Sequence, residues 1–429
     1  MPATTHDAGE TMLPRFYIHT LGCKVNQAES ELISASLLSA GWMRANTAAD
    51  ADVIILNSCT VTGEADAKNR KAIRSLLRAG DAPLIVTGCA INIDAGHYAD
   101  IDTRVICEPD KHAVPSLAAK LANGHVVPSI DELEHTALRG QGNAGFRTRV
   151  DLKIQDGCDN ACTYCIVHIA RGPARSVPAE DILAQARTLC AAGTRELVLV
   201  GIDLAAYEDG RVDLARLVDT LLAQTTIGRI RISSVEPQSV TSSLIDALAR
   251  SDGRLCRHLH LCLQSGSSKI LHEMNRHYDA REFGALVARM RDAVPQLALS
   301  TDVIVGFPGE TDDDFEESYR LIEQCGFMRL HVFRYSKRPG TPAAARGDQI
   351  APEVKAQRSQ ALIDLGERLA LADMERRLKS TEQVIIERPG LGTSESYHAV
   401  ACDATIPVGE LIELEFTDID TESMRLIAR

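Results

Sequence analysis

No apolar run in the 429-residue chain is long enough to cross a bilayer, so a membrane-spanning helix is excluded from the reading. The opening residues MPATTHDAGETMLPRF lack a basic segment and an apolar stretch, and so do not read as a secretory signal. A cytoplasmic protein with no membrane association is expected. That compartment keeps thiols reduced, so the twelve cysteines are not expected to form a disulfide framework. Metal ligation and core packing must share them. Positive charge is also short: 46 Lys and Arg against 59 Asp and Glu give a formal charge of −13. That balance argues against a broadly basic, nucleic-acid-coating surface. Local patches are still available in Lys68, Arg70, Lys71, Arg74 and Arg78, and in Arg334, Lys337 and Arg338. The plainer reading of such runs is a solvated helix face or turn. The most telling absence is one cysteine. In DGCDNACTYCIVHIARG, Asp156 to Gly172, Cys158, Cys162 and Cys165 form a C-x3-C-x2-C array with no fourth member.

What is present reads as α/β. From Arg15 to about Asn123, short apolar strands alternate with amphipathic helices, which predicts a parallel sheet. RFYIHTLGC, DVIILNSC and PLIVTGC end on Cys23, Cys59 and Cys89. Ligands gather at the carboxyl ends of strands in such sheets, so the three cysteines can converge on one point. Each alone reads as a buried core thiol; three in the same place in successive units argue for ligation. Residues 126–145, with RGQGNAG, read as a linker between an N-terminal domain at 13–125 and a second domain at 146–378. There, six strand candidates (RVDLKIQ, ELVLVG, RIRISSV, RHLHLCL, ALSTDVIVG and RLHVFRY) alternate with helical patterns, as in a partial (β/α)6 barrel. The cysteine array follows the first strand, on the face where such barrels carry their active sites. A helix rich in Arg and Glu leads out of the barrel from Pro352 to about Lys379. Residues 379–429, with β-branched runs and glycine turns, predict a small antiparallel β-barrel. Its ten carboxylates from Glu382 to Glu422, against Arg388, Arg425 and Arg429, suit a phosphate-binding face poorly. A structural cap is the competing reading.

Two chemistries suit the array. A closed zinc site needs four ligands, and His168 would complete C-x3-C-x2-C-x2-H. A cubane of four irons held by three thiolates instead leaves one iron open for a cofactor or substrate. The loop position on a barrel favours the open cluster. The remaining Cys107, Cys190, Cys256, Cys262, Cys325 and Cys402 have no partners in register and read as core or incidental thiols.

C-x3-C-x2-C with Tyr164 before the last cysteine resembles the signature of radical S-adenosylmethionine (SAM) enzymes. KIQDGCDNACTYCIVHIARGPARS resembles the methylthiotransferase branch of that superfamily, as do LGCKVNQAESE, NSCTVTGEADAKNRKAIR, VTGCA, RISSVEP, HLHLCLQSGSSKILHEMNR, TDVIVGFPGETDDDF and YSKRPGTPAA. His168 and Cys262 stand where the family usually has proline, and GCAINI lacks the aromatic that commonly follows the third N-terminal cysteine. The C-terminal barrel looks like the family's TRAM domain but is unusually acidic.

The resemblance implies two [4Fe-4S] clusters, one on Cys158, Cys162 and Cys165 and an auxiliary one on Cys23, Cys59 and Cys89, each with an open iron. At the first, SAM would complete the coordination and be cleaved reductively to a deoxyadenosyl radical, able to break an aromatic C–H bond that offers no acidic proton. At the second, a methylated sulfur would be delivered to the substrate. Candidate cofactor contacts at barrel strand ends are Tyr164, Gly201, Asp203, Ser234, Glu236, Gln264, Ile304 and Gly306, each of which reads also as a turn or supporting residue. The implied partners are a tRNA and an electron donor such as flavodoxin or ferredoxin, with a monomeric enzyme. Lys24 and Val25, after Cys23, resemble the subgroup acting on threonylcarbamoyladenosine beside the anticodon. The alternatives are modification of a ribosomal-protein aspartate, or a non-catalytic iron–sulfur or zinc protein that binds RNA.

Overall fold

The computed structural model describes residues 13–61, 63–122 and 148–429, which fall into two compact units, one of 13–60 and 64–122 and one of 148–429 with 61 and 63. The expected linker at 126–145 lies outside the described residues. None of the described helices is long and apolar enough to cross a membrane.

The first unit is a five-stranded parallel sheet of β1 (Arg15–Thr20), β2 (Met43–Arg44), β3 (Val53–Ser58), β4 (Leu84–Gly88) and β5 (Val105–Cys107), ordered β2-β1-β3-β4-β5. The central strands β3 and β4 are buried at every residue, as their unbroken apolar runs require of a sheet covered on both faces. Val53 and Ile55 pack with Ile33 and Leu37 of α1 (Lys24–Ser39); Ile54 and Leu56 face the opposite way, toward Ile73, Leu76 and Leu77 of α2 (Gly63–Ala79). The third cysteine-tipped strand, β4, runs directly into α3 (Cys89–Ala99).

In the second unit the six expected strands form one curved wall of parallel strands. Arg149–Lys153, Glu196–Val200 and Arg229–Ile232 make one sheet; His258–Leu261, Ala298–Val305 and Arg329–Arg334 make the next, joined to the first through the short continuation Ser234–Val235. Alternate side chains divide the strands between two environments. Leu259, Leu261, Leu299, Val303 and Val305 join the core under the outer helices, with Leu330 and Val332 packed against it. His258, His260, Ser300, Asp302 and His331 therefore point into the barrel.

After the helix Pro352–Arg377, five strands close a small barrel: Thr381–Arg388, Leu391–Ser394, Ala399–Ala401, Leu411–Asp420 and Arg425–Ala428. All pairings are antiparallel except Ala399–Ala401 with Arg425–Ala428. This module docks on the amino-terminal ends of the large barrel's strands. The carboxylate of Glu196, fully buried, bonds Nε of Arg229 at 2.6 Å and Nε of Arg231 at 2.8 Å. The remaining guanidinium nitrogens donate to main-chain carbonyls of the small barrel: Arg229 to Gln383 (2.7 Å) and Thr393 (2.9 Å), Arg231 to Ser394 and Glu395 (both 2.9 Å). Tyr397, at a left-handed φ of 73°, sets its ring 4.8 Å from that of His258 and 4.6 Å from the Arg231 guanidinium. The acidic module is thus a cap on the barrel floor, held by buried arginines.

Candidate metal centres

Cys23 caps the start of α1, Cys59 directly follows β3, and Cys89 opens α3, so three parallel strand ends each present a thiol. Asn26, on the first turn of α1 and almost fully buried, ties these ends together. Its Nδ2 donates to the carbonyls of Leu21 and Ser58, both at 2.8 Å, and its Oδ1 lies 4.0 Å from Sγ of Cys89. Asn57 returns a bond to the Asn26 carbonyl at 2.9 Å, and Asn69 bonds the Cys59 carbonyl at 2.7 Å. Gly22 must be glycine: its φ is 102°, and a Cβ there would lie 2.8 Å from Cβ and 2.9 Å from Sγ of Cys59. The loop bearing Cys23 closes over Cys59 only because that side chain is missing.

In the second unit Cys158, Cys162 and Cys165 lie on the loop after the first barrel strand. The Cys158 amide bonds the Gly172 carbonyl at 3.1 Å, and Gly157 at φ 71° lets the loop pass within a Cβ's reach of the Pro173 carbonyl. The Val167 amide donates to Sγ of Cys165 at 3.4 Å, and the Arg276 guanidinium donates to Sγ of Cys162, also at 3.4 Å. Arg276 is in turn ion-paired to Glu236. Sγ of Cys158 lies 3.9 Å from the Asp203 carboxylate, which accepts from Asn160 at 2.8 Å. Burial pushes the Cys158 and Cys165 thiols up to about 11, so without a metal they are protonated and ligation must release those protons.

The spacing bears on what such sets can hold. One tetrahedral zinc with sulfur at about 2.3 Å needs thiolates about 3.8 Å apart. Among the described residues neither triplet brings three sulfurs within 4.8 Å of one another, nor does His168 join the barrel cysteines at that range. In the barrel triplet, N–H groups are aimed at the sulfurs of Cys162 and Cys165, the kind of donor that tunes thiolate ligands of an iron–sulfur cluster.

The eight candidate cofactor contacts lie at strand ends or on the cysteine loop, with differing occupations. Asp203 and Glu236 face the cysteine loop through Asn160 and Arg276. Gly201 makes room for Gln155, whose Oε1 accepts from the Ile202 and Asp203 amides at 3.0 and 2.8 Å. Gln264, at φ 67°, exchanges main-chain bonds with Asp302 and Ile304. Gly306, at φ 71°, donates to Glu310 at 2.7 Å. Tyr164 and Ile304 pack on the cluster of Ile270, Met274, Phe307, Tyr335 and Ala343, and Ser234 is half-buried. The sequence reading had passed over Asn26, Gln155, Asn160 and Arg276. One expectation needs correction. Arg338 is only 4% exposed and cannot belong to a surface basic patch, whereas Lys68, Lys71, Arg74, Arg78, Arg334 and Lys337 are exposed. Val25, beside Lys24, is buried. Of the six other cysteines, Cys256, Cys262 and Cys325 are buried and Cys107, Cys190 and Cys402 half-buried; none is disulfide-bonded.

Residues 152–322 match the model of the radical SAM superfamily, and residues 15–106 match that of the uncharacterized protein family UPF0004. The threonylcarbamoyladenosine tRNA methylthiotransferase MtaB of Bacillus subtilis is 39% identical over 368 residues, covering 82% of this chain and 80% of that protein. The tRNA-2-methylthio-N(6)-dimethylallyladenosine synthase of Zymomonas mobilis is 35% identical over 435 residues, covering 96% of each. Among solved structures, the radical SAM methyltransferase TsrM of Kitasatospora setae, with cobalamin and a [4Fe-4S] cluster bound, superposes with a TM-score of 0.57 at 13% identity, covering 78% of this chain and 77% of that one. That likeness shows a shared fold. The chain belongs to the radical SAM methylthiotransferase family, and with it come an iron–sulfur cluster and SAM as cofactors.

Proposed function

We propose that this enzyme inserts a methylthio group at C2 of N6-threonylcarbamoyladenosine beside the tRNA anticodon, using two [4Fe-4S] clusters and SAM. The observation that carries the reading is the second cysteine triplet, gathered at three strand ends around Asn26. A radical enzyme that only breaks C–H bonds has no need of it; one that inserts sulfur does. Cys158, Cys162 and Cys165 hold the radical-generating cluster, and Cys23, Cys59 and Cys89 hold the auxiliary one. When bound, cluster and SAM together supply the electron and the radical that open an unactivated aromatic C–H bond. The protein's own part is positional. Asn160 and Asp203 fix the cysteine loop, Arg276 places positive charge at Cys162, and Tyr164 packs with Phe307 and Tyr335 to keep water from one side of the loop. Tyr164, Gly201, Asp203, Ser234, Glu236, Gln264, Ile304 and Gly306 line the SAM side of the barrel.

The subgroup rests on Lys24, adjacent to Cys23, and on the substrate in the name of the Bacillus subtilis relative. In this reading 13–125 is the auxiliary-cluster domain, 146–378 the radical core and 379–429 a TRAM-like barrel. The protein acts as a cytoplasmic monomer and receives electrons from a flavodoxin or ferredoxin. With −13 net charge, tRNA is held by local lysines and arginines such as Lys68 to Arg78, so binding weakens only shallowly with salt. The test is the modified-nucleoside profile of tRNA with and without the gene. Loss of the methylthio group from threonylcarbamoyladenosine, with isopentenyl-type nucleosides untouched, is expected. Unchanged tRNA with a ribosomal protein lighter by one methylthio group would overturn it.

A further inference from the structure

Inside the large barrel, three neighbouring strands place metal-ligating side chains at one spot. His260 comes from His258–Leu261, Asp302 from Ala298–Val305 and His331 from Arg329–Arg334, with Asp302 and His331 directly opposite in register. Among the described residues this is the group of three whose donor atoms all lie within 4.8 Å of one another. Asp302 is two residues below Ile304, so the cluster sits about 7 Å beneath the rim, at 3.3 Å per strand residue.

The distances fit one ion shared by the three side chains. Nε2 of His260 is 3.3 Å and Nδ1 of His331 is 3.2 Å from the same oxygen, Oδ1 of Asp302. A bond from imidazolium to carboxylate draws in to about 2.7–2.9 Å. Two ligands about 2.1 Å from one ion stand about 3.0 Å apart at a right angle and about 3.4 Å apart at the tetrahedral angle. Both contacts fall inside that window.

The surroundings also support ligation. The other ring nitrogen of His260, Nδ1, meets Oγ of Ser300 at 3.1 Å, and the same hydroxyl meets Nε2 of His258 at 3.0 Å. A partner on the far nitrogen fixes the ring's orientation and leaves Nε2 for a metal. His258 is itself held by the Tyr397 ring. Side-chain exposure of 13% for His260, 29% for Asp302 and 46% for His331 leaves room for a small ion and water from the barrel interior.

We propose that His260, Asp302 and His331 form a site for one divalent transition-metal ion, zinc or iron(II), separate from both cysteine triplets. Two histidines and one carboxylate leave coordination positions open, and here these are filled by water or another oxygen donor in the barrel. The ion ties the last three barrel strands together beneath the cofactor layer.

The full chain, anaerobically reconstituted with iron and sulfide and desalted, is titrated with zinc and its metals counted by mass spectrometry. One zinc per chain above the cluster iron is expected, and its X-ray absorption should show nitrogen and oxygen ligands near 2.0–2.1 Å with no sulfur shell near 2.3 Å. Asp302→Asn should weaken zinc uptake at least tenfold while cluster iron stays unchanged. His331→Ala, at the most exposed of the three positions, serves the same purpose should Asp302→Asn lose its iron. No stoichiometric zinc, a sulfur-coordinated zinc, or equal uptake by wild type and His331→Ala would each overturn the proposal.

Discussion

The guanidinium of Arg276 donates to Sγ of Cys162 across 3.4 Å, 114 residues away in the chain, while its other end is ion-paired to Glu236. With Cys162 as a cluster ligand in the proposed reading, a fixed cation against its thiolate favours the more negative, reduced state of what it holds. The pair with Glu236 holds the cation in place and partly cancels its field.

Arg276→Gln should therefore shift the midpoint potential of the barrel cluster to more negative values, with Arg276→Lys in between. A tenfold fall in the reduced-to-oxidised ratio corresponds to about 59 mV for one electron. Glu236→Gln should move it the opposite way. Potentiometric titration followed by electron paramagnetic resonance reads both, and an unchanged potential in Arg276→Gln would refute the electrostatic role.

Asn26→Ala removes the donor from two main-chain carbonyls, Leu21 and Ser58, in a buried setting. Each unsatisfied group costs about 1–3 kcal/mol, and the three strand ends lose their common tether. Iron per chain after anaerobic reconstitution should fall from roughly eight to roughly four, the content of one cubane. Retention of roughly eight irons would mean that Asn26 plays no part in gathering the cysteines.

Replacing Cys23, Cys59 and Cys89 together with alanine should leave reductive cleavage of SAM to deoxyadenosine intact and abolish methylthio product. Replacing Cys158, Cys162 and Cys165 should abolish both. Methylthio product from the first variant, measured by nucleoside mass spectrometry, would make the N-terminal cysteines structural.

Glu395, buried on the docking face and 3.2 Å from Arg257, is raised to about 7, because burial outweighs its cationic neighbours. A carboxyl whose folded value exceeds its unfolded value of 4.5 loses stability for the protein as pH climbs from about 4.5 through 7. Glu395→Gln lacks that loss. Its advantage over wild type should be small at pH 5 and reach on the order of 1–3 kcal/mol at pH 8. Urea midpoints at the two pH values measure it; an advantage that does not grow with pH would assign Glu395 a well-paired carboxylate instead.

The strands and both cysteine triplets were legible because each is a local signal: alternation of apolar runs with amphipathic helices, and fixed spacing along one loop or at successive strand ends. What stayed hidden depends on contacts between distant segments. Asn26 looks like any polar residue on a first helical turn until the Ser58 carbonyl is seen beside it. Arg276 sits in a stretch whose only visible feature is its motif, and its partner thiol lies on another loop. Arg338 misled for the same reason: charge suggests a surface, but the chain after the last barrel strand turns it inward. The His260–Asp302–His331 group is spread over three strands, and no spacing rule joins positions whose only common property is strand register.

The small C-terminal barrel is gripped by Arg229 and Arg231 through the main-chain oxygens of Gln383, Thr393, Ser394 and Glu395. A grip on peptide oxygens is indifferent to most side chains on the gripped module. Substitutions on its outward strands can accumulate without loosening the joint, so its surface charge is free to drift under other pressures. Grafting a tail from one relative to another should then succeed where the loop backbone and the Tyr397 and Glu395 side chains at the joint are kept, whatever residues its outward strands display.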